Sequence, residues 1–208
     1  MADAGCVKVS HEGPVAVLSM EFAPHNLLGL DLMAGMRAGL NAAQEAGARA
    51  VLLKSGLRHF SAGADTSLFV DALGPDGRLS VSPLAFLQEL EAFPLPIVAA
   101  VQGACIGGGL EMALACDFII AGRSAKIGSV EATIGLMVAI QRQVPRAGIA
   151  RAKEMAMLGR RYDAETMEKW NIINRVVEDE KLDEAAMILA LELANGPTLA
   201  HRITKQIA

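Results

Sequence analysis

Two glutamates and two glycine turns hold most of the chemical capacity of this sequence. Gln102-Gly-Ala-Cys-Ile-Gly-Gly-Gly follows an apolar run ending at Val101 and leads into a second one starting at Leu110. A strand, a glycine turn and a helix in that order leave free N–H groups at the helix start, and these suit a developing oxyanion. Glycine matters there because a side chain would block close approach of a ligand oxygen. Glu111 follows Gly108 by three residues, so its carboxylate sits one turn into the helix, beside such an oxyanion. Tight strand–helix packing accounts equally well for the glycines alone. A second turn, Phe60-Ser-Ala-Gly-Ala-Asp65, can supply another N–H to the same oxygen. Glu131, flanked by apolar and small residues in Ile127-Gly-Ser-Val-Glu131, lies twenty positions after Glu111. Two carboxylates in an apolar region can have their pKa values pushed apart and divide acid and base roles. Taken singly, Glu131 fits a satisfied or exposed residue better than a catalytic one.

The elements that must position these residues follow from the hydrophobic pattern. Val15–Met20, Ala50–Leu53, Ile97–Val101, Phe118–Ala121 and Ile172–Val177 read as strands. Leu32, Met33, Met36 and Leu40 recur at helical spacing, in a helix ending near Glu45 with Gly47 as its stop. Further helices are expected over Leu84–Phe93, Leu110–Ala115, Ile149–Leu158, Ala164–Trp170 and Leu182–Leu193. Ser55–Asp65 carries loop chemistry, and Asp71–Pro83 reads as a surface insertion. Alternating buried strands and helices predict an α/β protein with largely parallel pairing, its last quarter a helical lobe.

Composition narrows the function. The chain has 208 residues, 52% hydrophobic and 20% charged, enough apolar content for a sizeable core and too much for disorder. Nineteen basic and 23 acidic residues give a net charge of −4 without a block of one sign, so neither nucleic acid nor an acidic membrane is the expected partner. Between Pro94 and Gly122, two prolines, three consecutive glycines, Glu111 and Asp117 argue against a membrane span. Cys6, Cys105 and Cys116 form no CxxC pair, and the two in apolar stretches are expected to be buried thiols acting as small hydrophobes. With an N-terminus that has neither a basic nor an apolar leader region, they point to the cytoplasm. No GxSxG, HExxH or GxxxxGK[ST] is present. The four histidines are too scattered to suggest a metal site.

Phe60–Asp65 (FSAGAD), Pro96–Ala121 (PIVAAVQGACIGGGLEMALACDFIIA), Ile127–Leu136 (IGSVEATIGL) and Gln141–Gly148 (QRQVPRAG) resemble the crotonase superfamily, the enoyl-CoA hydratase/isomerase family. The likeness runs from about Val7 to Gln206. It implies a spiral core of repeated β-β-α units over residues 1–148, a mainly helical region over 149–208 that makes oligomer contacts, and assembly as a homotrimer or dimer of trimers. It implies an acyl-CoA thioester as substrate, with the oxyanion-hole N–H groups on Ala64 and Gly108. Ala62, Ala64, Asp65, Thr66, Ser67, Gly107 and Gly108 would contact substrate and CoA. Members that hydrate a conjugated double bond carry two glutamates, at the positions of Glu111 and Glu131. The chemistry then needs no metal and no redox cofactor, CoA being part of the substrate.

The likeness has departures. After Gly135 the sequence runs Leu-Met-Val-Ala-Ile-Gln-Arg, without the family's proline and glycine pair, so the acyl pocket is expected to differ there. The chain ends at Ala208, where typical members continue into further C-terminal helices. The Asn-Arg-Pro element of many members is replaced by Phe22-Ala-Pro-His-Asn26, a structural position. Enoyl-CoA hydration is the leading expectation. The alternatives are a double-bond isomerase, which needs no activated water, and a non-catalytic acyl-CoA-binding subunit.

Overall fold

The computed structural model describes residues 4–66, 83–136 and 140–207. Nine strands are named in chain order: β1 Val7–Glu12, β2 Val15–Met20, β3 Ala50–Ser55, β4 Ile97–Val101, β5 Ala104–Ile106, β6 Phe118–Gly122, β7 Lys126–Gly128, β8 Tyr162–Asp163 and β9 Arg175–Val177. Six form one sheet, ordered β1-β2-β3-β4-β6-β9, antiparallel only at β1–β2. The other three form a small sheet in the order β5-β7-β8. The helices are α1 Leu30–Glu45, α2 Pro83–Glu91, α3 Gly108–Leu114, α4 Val144–Leu158, α5 Ala164–Lys169, α6 Leu182–Asn195 and α7 Thr198–Ile207. None of the described helices is long and apolar enough to cross a membrane.

Side chains alternate across a strand, so each central strand feeds two cores. On one face Ala16, Leu18, Val51, Leu53, Ile97, Ala99 and Ile119 pack with α1, α2 and α3. On the other, Val15, Ala50, Leu52, Val98, Ala100 and Ile120 meet α6. Ala186, Ala190 and Ala194 recur every fourth residue along α6 and are fully buried, so their small side chains let the helix lie close on the sheet. Burial on both faces is why these strands read as continuous apolar runs.

The structure differs from the sequence expectations in several places. β1 is an added edge strand, exposed at five of its six residues, and lacks the apolar alternation that marks a half-buried strand. The expected strand Ile172–Val177 pairs only over Arg175–Val177; Asn171 has φ 60°, and Ile172 and Ile173 are buried in a turn. The helix expected from Ile149 starts at Val144 and is broken at Gly148 by φ 76°. The glycine turn contains a short strand, β5, and the helix after it begins at Gly108. Of the insertion expected at Asp71–Pro83, Pro83 opens α2 and the remainder lies outside the described residues. All three cysteines are buried thiols. Burial raises the Cys105 and Cys116 thiols, the latter to about 12, so both behave as small apolar side chains.

Candidate active site

The two glycine turns are brought together by backbone and polar contacts. Asn26, fully buried at φ 50°, accepts from Phe22 N–H at 2.8 Å and donates through Nδ2 to Ser55 Oγ at 2.8 Å and to the Phe60 carbonyl at 3.1 Å. Ser61 Oγ donates to the Asn26 carbonyl at 2.7 Å. Ser61 N–H donates to Ala104 O and Ile106 N–H to Ser61 O, at 3.1 and 3.2 Å, which pins the first turn beside β5. Gly103 (φ 58°) and Gly107 (φ 55°) flank that strand in the left-handed φ range that glycine adopts readily.

This lacing sets Ala64 against Gly108. A Cβ added to Gly108 would stand 3.0 Å from the Ala64 nitrogen, so glycine keeps the space before that N–H clear. Gly108 is the first residue of α3, and its N–H is among those a helix leaves without an intrahelical acceptor. Among the described residues neither N–H has an acceptor. Both line a cavity of about 520 Å³ with Ala62, Gly63, Thr66, Gly107, Glu111 and Glu131. Leu28, Leu84, Leu87, Val130, Ile134 and Leu136 supply its apolar wall.

Glu111, in the first turn of α3, is 6% exposed. Its Oε1 accepts from Gln143 Nε2 at 3.2 Å, and Arg142 Nη1 stands 3.5 Å from Oε2. Gln143 is fully buried and also donates to Ser129 Oγ at 2.8 Å. Burial dominates the ionisation of Glu111 and raises its pKa to about 7; the Gln143 hydrogen bond and the Arg142 charge oppose the rise, and Glu131 adds to it. Glu131 opens the short 3-10 turn Glu131–Ile134. It too is raised by burial, against the backbone N–H groups of Glu131 and Val130. One Oε of each glutamate is buried without a hydrogen bond among the described residues. The arrangement can hold an oxygen between two N–H groups and present two weakened acids to atoms beside it.

Of the residues singled out in the sequence, Glu111, Glu131, Ala62, Ala64, Thr66, Gly107 and Gly108 all line this one cavity. Asp65 does not. Its N–H donates to the Leu28 carbonyl at 3.0 Å, and its side chain lies against Gly29. Ser67 lies outside the described residues. Sequence reasoning assigned no role to Arg142 or Gln143. Three consecutive polar residues, Gln141, Arg142 and Gln143, ahead of Val144-Pro145 at a helix start next to an apolar stretch, are the signal that could have found them.

A family model described as enoyl-CoA hydratase/isomerase matches residues 11–208. Carnitinyl-CoA dehydratases of Citrobacter koseri and Salmonella typhimurium are each 35% identical over 164 residues, covering 76% of this chain and 62% of theirs. The match thus spans under two thirds of the length of these curated relatives. Among solved structures, enoyl-CoA hydratase subunit I of Geobacillus kaustophilus superposes with a TM-score of 0.85 at 31% identity, covering 97% of this chain and 80% of that one. An enoyl-CoA hydratase/carnithine racemase of Magnetospirillum magneticum gives 0.85 at 28% identity, with coverage of 97% and 79%. The mixed α/β fold with its helical C-terminal lobe is therefore crotonase-like, as the sequence motifs implied.

Proposed function

The chain belongs to the enoyl-CoA hydratase/isomerase family, and from that premise we propose that it adds water across the 2,3 double bond of an enoyl-CoA thioester. One observation carries the reading: Glu111 and Glu131 share a cavity with the N–H groups of Ala64 and Gly108, which are unengaged among the described residues. The dehydratase name of the curated relatives supports chemistry in which water is gained or lost.

In this reading the thioester carbonyl oxygen accepts from Ala64 and Gly108 N–H, which makes C3 electrophilic. Ionised Glu111 takes a proton from water as the water oxygen bonds to C3. The C2=C3 electron pair moves toward the carbonyl, and the enolate oxygen is held by the two N–H groups. Protonated Glu131 gives its proton to C2, and the carbonyl reforms. The proton on Glu111 balances the one lost by Glu131, and exchange with solvent resets the pair. The raised pKa of Glu111, about 7, lets that carboxyl take up and release a proton near neutral pH, and burial moves Glu131 in the same direction.

Crotonyl-CoA tests the proposal. Hydration removes the absorbance of the conjugated thioester and yields a 3-hydroxyacyl-CoA. Conversion of 3-butenoyl-CoA to crotonyl-CoA, with no loss of crotonyl-CoA in water, would instead place the reaction with the isomerases. Binding without turnover of either compound would leave an acyl-CoA-binding subunit.

A further inference from the structure

Arg142 reaches the active-site cavity with its charge already held from behind. Its Nη1 stands 3.5 Å from Glu111 Oε2. Its Nε lies 2.6 Å from Glu91 Oε1, and its Nη2 donates to Glu91 Oε2 at 2.9 Å. The Arg142 side chain is 8% exposed and that of Glu91 41% exposed, so the pair runs from the surface at the end of α2 inward to the carboxylate. Gln143, the next residue, holds the other Glu111 oxygen. Glu111 thus has a cation at one oxygen and an amide donor at the other. The two come from one dipeptide, whose side chains are fixed by Glu91 and Ser129 respectively.

We propose that Arg142, anchored by Glu91, is a positioning residue that keeps Glu111 ionised and so sets the acid limb of the enzyme's pH dependence. The inference rests on the reading of Glu111 as the base that activates water. Among the described residues, the groups that face Glu111 are few. Arg142 and Gln143 enter from the segment that opens α4, Glu131 from the turn after β7, and Glu91 stands behind Arg142 at the end of α2. Arg142 is the cation of this set, and Glu131 opposes it. A guanidinium rather than an ammonium suits the place because it can fork to one carboxylate while its remaining N–H faces another.

The test pairs a titration with a rate profile, using the full chain. Glutamates are labelled with 13C at the side-chain carboxyl, and Glu111→Gln identifies the Glu111 resonance by its loss. Arg142→Gln is expected to move the Glu111 titration upward by about one pH unit, as removal of an adjacent cation does. The ionised fraction at pH 7 then falls from about a half to about a tenth. kcat/KM for crotonyl-CoA accordingly falls about fivefold at pH 7 and recovers at pH 9. Arg142→Lys restores most of the shift. Glu91→Gln alters a partly exposed side chain that the core does not need, so it folds even where Arg142→Gln does not. It is expected to move the Glu111 titration upward by a smaller amount as Arg142 loses its anchor. An unmoved titration in Arg142→Gln would overturn the proposal. A downward shift in Glu91→Gln would overturn the anchoring role. The 13C titration needs no turnover, so failure of this inference is distinguishable from failure of the hydratase reading. The latter would show as an inactive native protein whose Glu111 still responds to Arg142.

Discussion

Gly108 and Ala64 face each other so closely that a single methyl group on one would cover the amide of the other. The Cβ of an alanine at 108 would lie 3.0 Å from the Ala64 nitrogen, in the space an oxyanion must occupy to accept from both N–H groups. The backbone of Gly108 is helical, a conformation that alanine adopts without strain, and the added methyl requires the Ala64 backbone to shift by only a few tenths of an ångström. Gly108→Ala is therefore expected to keep the native unfolding temperature within a few degrees while slowing hydration about a hundredfold or more. Steady-state rates and a thermal melt on the same sample check this. A variant as fast as the native protein would place the oxyanion elsewhere.

Ionised Glu111 makes the fold less stable above neutral pH. Its folded-state pKa of about 7 lies above the usual 4.5, with burial as the largest cause. A raised pKa means that the folded protein binds this proton more tightly than the unfolded chain does. The full cost of the buried carboxylate is present above pH 7, and it fades as pH falls through 7 toward 4.5. Glu111→Gln is expected to be more stable than the native protein at pH 8, by an amount on the order of 2 kcal/mol. The two should converge near pH 4.5. Denaturant unfolding at a series of pH values measures the difference; an advantage that grows on acidification would show the sign to be wrong.

Arg146 provides the contrast to Arg142. It turns away from the cavity and donates to the carbonyls of Cys116 at 3.0 Å, Ile172 at 3.2 Å and Leu114 at 3.5 Å, closing the C-terminal end of α3. Arg146→Met leaves these acceptors without their donor and is expected to destabilise the fold by about 2 kcal/mol. It should leave the Glu111 titration and the pH dependence of the rate where they are. A shifted pH profile in this variant would mean that the two arginines act as one network.

The parts of this molecule legible in its sequence are those whose burial is symmetrical. β3, β4 and β6 are covered on both faces and read as uninterrupted apolar runs, and α1 shows its apolar stripe through Leu32, Met33, Met36 and Leu40. β1 was missed because five of its six residues face solvent. β5, β7 and β8 span two or three residues each and exist through pairing with distant segments, a constraint that no local pattern carries. The same division runs through the site. Glu111 and the glycine turns stand in motifs, so their residue types point to chemistry. Arg142 and Gln143 take their meaning from a carboxylate more than thirty residues earlier in the chain, with Gln143 and Glu111 separated by 32 positions. Spacing alone says nothing of that contact.

The central claim is that two glutamates share one hydration. Its most direct test is the rate of crotonyl-CoA absorbance loss for the native protein, Glu111→Gln and Glu131→Gln, measured side by side near neutral pH with folding verified for each. The account predicts fast loss in the native protein and a fall of about a hundredfold or more in either variant, because each removes one of two proton transfers. Native-like hydration in Glu111→Gln or Glu131→Gln would contradict the two-carboxylate mechanism.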